Sequence, residues 1–252
     1  MSWIRGYYRL FFCGLTLGLG GGLIIVTSWL PFHIKGVRLS MWVTQAAVKL
    51  LLLILNVRVH CSEPEKVRRF QGFIFANHVS YLDILALVSV TPVRFLAKEE
   101  VRTMPIIGRI AAAIGCVFVK REDKKSRAEA REALAYVDRF PPVVLFVEGK
   151  RGPGHELLPF RYGAFEIVIQ GSVPFLPCVI SYDRPEIAIW HRSENIMKAL
   201  WRVARRSGPI GVAIIPLAVI QPMPADDPVQ LSLATHAAMT AVWQQQPLET
   251  VA

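Results

Sequence analysis

Residues 73–83 read Phe73-Ile74-Phe75-Ala76-Asn77-His78-Val79-Ser80-Tyr81-Leu82-Asp83. The first four residues are apolar, which is typical of a short buried strand. A polar turn follows at once, and the pattern after it indicates the start of a helix. A strand, a turn and a helix in this order predict one unit of an α/β fold, in which functional groups gather just beyond the carboxyl end of the strand.

The same alternation continues through the chain after about Asn56. Short β-rich runs alternate with amphipathic helical patterns, which predicts an α/β domain over residues 57–252. We expect a mostly parallel central sheet with helices on both faces. The predicted strands are residues 57–60, 73–76, 93–97, 116–119, 143–147, 175–181 and 211–216.

Capping residues and glycines mark the ends of the helices between these strands. We predict a helix from a capping box of Ser126 and Glu129 to about Arg139, a helix over residues 165–170 that ends at Gly171, a basic helix from Ser193 to Arg206, and a C-terminal helix over residues 229–245.

The residues before Asn56 contain most of the apolar excess of the chain. The protein has 252 residues, 53% of them hydrophobic and 19% charged, and its mean hydropathy is +0.38. Residues 11–30 carry no charge and, at ~1.5 Å per residue, are long enough to cross a ~30 Å hydrocarbon core. A second apolar segment, residues 39–57, is interrupted only by Lys49. We therefore predict that residues 1–56 form a membrane-associating helical hairpin.

The sequence leaves the membrane arrangement of this hairpin open. It could cross the bilayer and return, or lie in the interface with its tryptophans near the headgroups. Basic residues flank both ends of the first segment and do not decide the orientation. Gly14, Gly18 and Gly22 form overlapping GxxxG spacings, which would allow close packing against another helix in a bilayer.

The chain carries 29 Lys and Arg against 19 Asp and Glu, a net charge of +10. Such a surface attracts anions, but the basic residues are scattered and form no recognised nucleic-acid module. We therefore expect anionic lipid and acidic carrier protein as partners, and no nucleic acid. The four cysteines lie far apart without a CxxC pair, so we expect reduced, mostly buried thiols and no metal site.

His78 and Asp83 are candidates for acid–base chemistry. If His78 lies in the turn and Asp83 in the first helical turn, the carboxylate can fix the imidazole tautomer and favour the imidazolium. Ser80 and Asp83 are also spaced as the N-cap and third residue of a helix, so Asp83 could instead satisfy helix amides. The spacing alone does not choose between these roles.

Two other predicted strands also end in polar residues. Residues 116–119 run into Lys120-Arg121, and residues 143–147 run into Glu148-Gly149-Lys150-Arg151. The second stretch is a glycine-rich turn with fixed cations, which is suited to holding a phosphate. Polar residues at three strand ends predict a site at one rim of the sheet.

The chain resembles the glycerophospholipid acyltransferases typified by 1-acylglycerol-3-phosphate (lysophosphatidate) acyltransferase. Four ordered blocks carry the resemblance: residues 77–83 match Asn-His-x-Ser-x-x-Asp, residues 115–121 resemble Gly-x-x-Phe-Ile-x-Arg, residues 146–151 resemble Phe-Pro-Glu-Gly-Thr-Arg, and residues 173–178 resemble the family's proline-bracketed strand. In the third block Val147 stands where the family has proline, and Lys150 where it has threonine.

The resemblance implies a role for each matching residue. His78 would be the general base on the free hydroxyl of a lysolipid, and Asp83 would orient it. Arg121, Glu148, Gly149, Lys150 and Arg151 would bind the substrate headgroup, with Asn77 and Ser80 in support. The acyl donor would be acyl-CoA or acyl-carrier protein, with no further cofactor and no metal. The acceptor is most simply 1-acylglycerol-3-phosphate, although Lys150 and Val147 also suit a lyso-ornithine or other lyso-aminolipid.

Two other classes of function remain as alternatives. A hydrolase would use His78 to activate water, but the chain has no Gly-x-Ser-x-Gly motif. A non-catalytic membrane or nucleic-acid binder would explain only the positive charge. For the enzyme we expect attachment to the inner (cytoplasmic) membrane, with the catalytic domain on the cytoplasmic side.

Overall fold

The computed structural model describes residues 2–120, 123–135, 138–191 and 194–245. The elements in chain order are α1 (Ser2–Ser28), β1 (His33–Ile34), β2 (Val37–Arg38), α2 (Leu39–Ile54), β3 (Val57–Cys61), α3 (Pro64–Arg69), β4 (Phe73–Ala76), α4 (Leu82–Val90), β5 (Arg94–Lys98), α5 (Glu99–Arg102), α6 (Ile107–Ala113), β6 (Val117–Val119), α7 (Lys124–Ala135), β7 (Val143–Phe146), α8 (Gly163–Gln170), β8 (Phe175–Tyr182), α9 (Pro185–Ala188), α10 (Ile196–Arg205), β9 (Ile210–Pro216) and α11 (Pro228–Gln244).

The seven predicted strands all occur, and they form one sheet in the order β3-β9-β8-β4-β7-β5-β6. Neighbouring strands are parallel except for β8 and β9. The prediction of a mostly parallel α/β sheet is therefore confirmed. Strand β4 lies between β8 and β7, with Ala76 in register with both Cys178 and Phe146. The carboxyl ends of these central strands thus lie side by side.

Helices cover both faces of the sheet because side chains of β4 alternate between two apolar clusters. Ile74 and Ala76 pack with residues of α2, α4 and α10. Phe73 and Phe75 pack with residues of α7, α8 and α11, and the ring of Phe75 stacks on Phe175 at 4.6 Å between centroids. With both faces covered, polar groups of β4 and its neighbours can reach solvent only at the rims of the sheet.

Two of the predicted helix starts are wrong. Helix α7 begins at Lys124, where Asp123 accepts a hydrogen bond from Lys125 N at 2.8 Å, so Ser126 is not the cap. Its hydroxyl instead accepts from Lys120 N at 3.0 Å. Helix α10 is capped by Asn195, which accepts from Lys198 N at 2.9 Å, and the predicted cap at residue 193 lies outside the described residues. In both cases another Asp or Asn nearby offers an equally good capping oxygen, and the spacing rule alone did not choose correctly.

The end of α7 also differs from the prediction: the helix is described as far as Ala135, and Arg139 is not helical. The following backbone has other partners: Arg139 O accepts from Gly72 N at 2.8 Å, and Pro141 O accepts from Arg94 Nε at 3.0 Å. By contrast, the end of α8 at Gly171 and the C-terminal helix α11 agree with the sequence.

Helices α1 and α2 form the predicted helical hairpin, joined by the short ribbon β1–β2. Helix α1 is long and apolar enough to cross a membrane, whereas α2 is shorter. The hairpin shares a core with the sheet, since Cys13 and Leu52 belong to the same cluster as Ile74. A boundary between two domains at residue 56 stays a prediction.

One face of α1 packs on the α/β domain along the helix. Near its start, Arg9 Nη1 donates to the carbonyls of Ala204 and Arg206 at the end of α10, both at 3.1 Å. Near its end, α1 packs against α6.

The glycines of α1 divide into two groups. Close neighbours surround Gly6, Gly20 and Gly21. The glycines of the GxxxG spacings, Gly14, Gly18 and Gly22, face open space.

This packing predicts opposite effects for two glycine substitutions in α1. A Cβ at Gly6 would lie 2.7 Å from the ring of Trp201, whereas Gly18 has no neighbour within 4 Å. We expect Gly6→Leu to destabilise the protein by about 1–3 kcal/mol through overpacking. Gly18→Leu should be neutral or stabilising, because leucine favours a helix by roughly 1 kcal/mol over glycine. Thermal unfolding in detergent measures both, and equal losses in the two variants would contradict docking of α1 on α10.

Candidate active site

Strand β4 is tied to β8 where the polar turn begins. Asn77 is fully buried, and its side chain both donates to Ile180 O at 2.9 Å and accepts from Ile180 N at 2.7 Å. This two-way bond satisfies the buried amide and fixes the chain just before His78. The next side chain is therefore presented at the carboxyl rim of the sheet, as predicted.

The side chains of His78 and Asp83 meet in the turn between β4 and α4. His78 Nδ1 lies 2.9 Å from Asp83 Oδ2. The same oxygen accepts from Val79 N and Ser80 N, both at 2.8 Å. Asp83 therefore orients the imidazole and satisfies backbone amides at once, so the two roles left open by the sequence are both present. Because an ionised carboxylate can only accept, Nδ1 carries the hydrogen and Nε2 is left to accept a proton.

Tyr182 completes the surroundings of Asp83, and sequence reasoning missed it. Its hydroxyl donates to Asp83 Oδ1 in a short contact. Burial, together with the charge of Asp83, holds the pKa of Tyr182 well above its ordinary value. The phenol thus stays protonated and keeps donating. Tyr182 is the last residue of β8, one position beyond the predicted strand, so inspection of a fourth strand end would have found it.

Glu148 lies behind His78 instead of facing open space. It is 1% exposed, and its two oxygens accept from His78 N at 2.9 Å and Leu158 N at 3.0 Å. Gly152 N in turn donates to His78 O at 2.7 Å. The loop after β7 therefore holds both main-chain polar groups of His78. This geometry gives Glu148 a role in positioning His78, while its contact with the substrate stays a prediction.

Burial raises the pKa of Glu148 from 4.5 to about 7, although its hydrogen bonds from His78 N and Leu158 N oppose the shift. A carboxyl group in this setting keeps a proton to higher pH than an exposed one, because desolvation disfavours its charged form.

The rest of the glycine-rich turn carries the predicted cations. Gly149 has a φ of +69°, a conformation that favours glycine. Lys150 is exposed. The guanidinium carbon of Arg151 lies 3.4 Å from the centroid of the Trp190 ring. Trp190 N donates to Val79 O at 3.1 Å, so Arg151 is held beside the turn that contains His78.

The predicted role of Arg121 stays a prediction, because Arg121 lies outside the described residues. The strand before it, β6, is three positions from β4, or about 14 Å at ~4.8 Å per strand. Ser80 donates to Ala188 O at 2.7 Å and accepts from Leu82 N at 3.2 Å, so its hydroxyl is used in holding the turn.

The arrangement can accept a proton and hold an anion. The imidazole of His78 stacks on Phe146 at 4.1 Å between centroids, and the fully buried carboxylate of Asp83 lies behind it.

Within the described residues, no group of three or more His, Cys, Asp or Glu is placed to hold a metal ion. All four cysteines are free, and burial raises the pKa of Cys116 to about 11, which leaves that thiol unreactive at neutral pH.

Comparisons with known proteins match this chain to acyltransferases. A family model described as Acyltransferase matches residues 58–181. A lyso-ornithine lipid O-acyltransferase of Rhizobium meliloti is 36% identical over 62% of this chain and 49% of its own length. A 1-acyl-sn-glycerol-3-phosphate acyltransferase of Neisseria meningitidis is 29% identical over 61% of this chain and 62% of its own length. The matches thus span about half to three fifths of these relatives.

A solved structure has the same fold. The crystal structure of the 1-acyl-sn-glycerophosphate acyltransferase PlsC from Thermotoga maritima gives a TM-score of 0.70 at 20% identity, over 98% of this chain and 99% of that one.

The buried position of Glu148 predicts a change in the pH dependence of stability. The pKa of Glu148 is higher in the folded state than in the unfolded chain. Its contribution to the free energy of unfolding is therefore complete below about pH 4.5 and is lost as the pH rises through about 7. At about 1.4 kcal/mol per pKa unit, the loss is up to about 3 kcal/mol. Glu148→Gln cannot lose a proton, and its stability should therefore lack this fall.

Chemical unfolding in detergent between pH 4.5 and 8 measures the effect. Glu156→Gln, an exposed position in the same loop, is the matched control and should keep the wild-type slope. Parallel curves for wild type and Glu148→Gln would contradict the assignment.

Proposed function

This chain belongs to the glycerophospholipid acyltransferase family, and from that premise we propose that it transfers a fatty acyl group from an acyl thioester to the free hydroxyl of a lysolipid. The observation that carries the proposal is the pairing of His78 with a buried Asp83, next to Arg151 at the same rim of the sheet. A base and a fixed cation side by side suit a substrate that carries a hydroxyl near an anion.

His78 acts as general base in the proposed reaction. Nε2 takes the proton of the acceptor hydroxyl while that oxygen attacks the thioester carbonyl. The tetrahedral intermediate then collapses, the carbon–sulfur bond breaks, and the imidazolium returns the proton to the thiolate of the leaving donor. Asp83 stabilises the imidazolium between these steps. No acyl-enzyme forms, because the nucleophile is the hydroxyl of the substrate.

We propose 1-acylglycerol-3-phosphate as the acceptor and phosphatidic acid as the product. Arg151 and Lys150 supply fixed positive charge for the phosphate, and Arg121 adds to it. A lyso-ornithine lipid is the second candidate. It is favoured by the relative from Rhizobium meliloti, which is named for that acceptor and is 36% identical, and by Lys150 and Val147 in the third block.

The donor is acyl-CoA or acyl-carrier protein. Both are acidic, and the +10 charge of the chain favours their approach. The thioester supplies the acyl group directly, so the proposed reaction needs no other cofactor.

We propose that the hairpin lies in the membrane interface and keeps the active-site domain on the cytoplasmic side of the inner membrane. Large apolar side chains are exposed on α1 and in the turn after it, with Leu19 at 70%, Val26 at 60% and Trp29 at 85%. The opposite face of α1 packs on the domain near both of its ends. A helix about 40 Å long that is docked in this way cannot cross a bilayer without taking the domain with it.

Acyl transfer tests the proposed reaction. Purified protein with a labelled acyl donor should acylate 1-acylglycerol-3-phosphate in preference to lyso-ornithine lipid. His78→Ala should lower kcat by at least about 10²–10⁴-fold because the base is lost, whereas His155→Ala, at an exposed position in the loop after β7, should not change it. Free fatty acid without acylated lipid would instead identify a hydrolase, and preference for the aminolipid would identify the second acceptor.

Labelling of added cysteines tests the interfacial arrangement. Ser2, at the first residue of α1, and Lys35, in the turn after α1, are both exposed. In inside-out vesicles the variants Ser2→Cys and Lys35→Cys should both react with a membrane-impermeant maleimide. The wild type, with its four natural cysteines, gives the background. Reaction of Lys35→Cys only after the vesicles are permeabilised would mean that α1 spans the membrane.

A further inference from the structure

The segment after β8, residues 185–191, contacts both the turn that contains His78 and the side chain of Arg151. We call it the Trp190 segment. Its Ala188 O accepts from the Ser80 hydroxyl at 2.7 Å, and its Trp190 N donates to Val79 O at 3.1 Å. Two main-chain groups of this segment are therefore bonded to the turn that presents His78.

The ring of Trp190 is itself fixed in place. Its Nε1 donates to Glu194 O at 2.8 Å, and the ring makes an edge contact with Tyr81 at 6.3 Å between centroids. The guanidinium of Arg151 lies on the face of this ring at 3.4 Å. Stacking on the ring fixes the plane of the Arg151 guanidinium, and so fixes the directions in which its N–H groups point.

Helix α10 holds the Trp190 segment from the other side. Arg202 donates to Glu186 O at 2.8 Å and to Ile189 O at 2.7 Å, and it pairs with Glu194 at 2.7 Å. The segment is thus bonded to a regular helix as well as to the His78 turn. These bonds hold the Trp190 ring in a fixed position.

We propose that Trp190 is a positioning residue that sets the separation between His78 and Arg151, and so selects lysolipids whose hydroxyl lies at a matching distance from the phosphate. This inference rests on the proposed function and adds a determinant of acceptor specificity to it. One residue joins the two groups: its backbone is bonded to Val79, next to the base, and its ring carries the arginine. Trp190 lies outside all four sequence blocks of the family resemblance.

A double-mutant cycle tests the proposal, with kcat and KM measured on 1-acylglycerol-3-phosphate. Trp190→Ala should raise KM by roughly 3- to 30-fold, the range of a cation–π contact, with a smaller change in kcat. Trp190→Phe keeps an aromatic face and should restore most of the wild-type KM. In an Arg151→Ala background, Trp190→Ala should add almost nothing, because its effect is exerted through Arg151.

Controls separate this role from a general loss of structure. Trp243→Ala removes a tryptophan that packs against the core cluster on the other face of the sheet. It should lower the thermal stability and leave KM unchanged. If Trp190→Ala instead lowers activity by the same factor with and without Arg151, Trp190 is only structural and the proposal is wrong. A wild-type protein that acylates no lysolipid would overturn the proposed function as well, which distinguishes the two failures.

Discussion

The buried carboxylate of Asp83 is the group on which the site depends. It is fully buried and accepts from four donors: His78 Nδ1, Val79 N, Ser80 N and the Tyr182 hydroxyl. A buried charge without such partners would cost several kcal/mol. Because the donors come from the turn, from the base and from β8, the carboxylate is satisfied only when all three are in place. The geometry of the base is therefore tied to the folding of the sheet.

Two further buried polar side chains extend the same principle along the rim. Asn77 bonds the end of β4 to β8, and Glu148 bonds the end of β7 to the backbone of His78. Each of them uses its polar atoms to hold main-chain groups. In the proposed reaction, the substrate is contacted by the Nε2 edge of His78 and by the cationic turn that contains Arg151.

The sequence predicted the sheet well because each strand is a short apolar run between helical patterns. Such a run can be recognised from neighbouring residues alone, without knowledge of the tertiary contacts. It also placed His78 and Asp83 correctly, since both lie within one strand–turn–helix unit. It failed where the partner is distant in sequence. Tyr182 and Trp190 meet the His78 turn only after β8 has paired with β4. For Glu148 the residue type predicts a nearby donor or cation, but not that the donors are His78 N and Leu158 N. The start of α7 was wrong for a different reason, namely that two capping residues compete within one turn.

Contacts also run from the hairpin to the site. Arg9 of α1 donates to the last carbonyls of α10, Arg202 of α10 donates to the Trp190 segment, and that segment is bonded to the His78 turn. Each link is a hydrogen bond to a main-chain carbonyl, so each fixes backbone position and not only a side chain. Without α1, the carbonyls of Ala204 and Arg206 would lose the guanidinium groups of Arg5 and Arg9 that donate to them. The apolar hairpin is therefore part of the framework of the site, because a continuous series of hydrogen bonds joins it to the turn that holds the base.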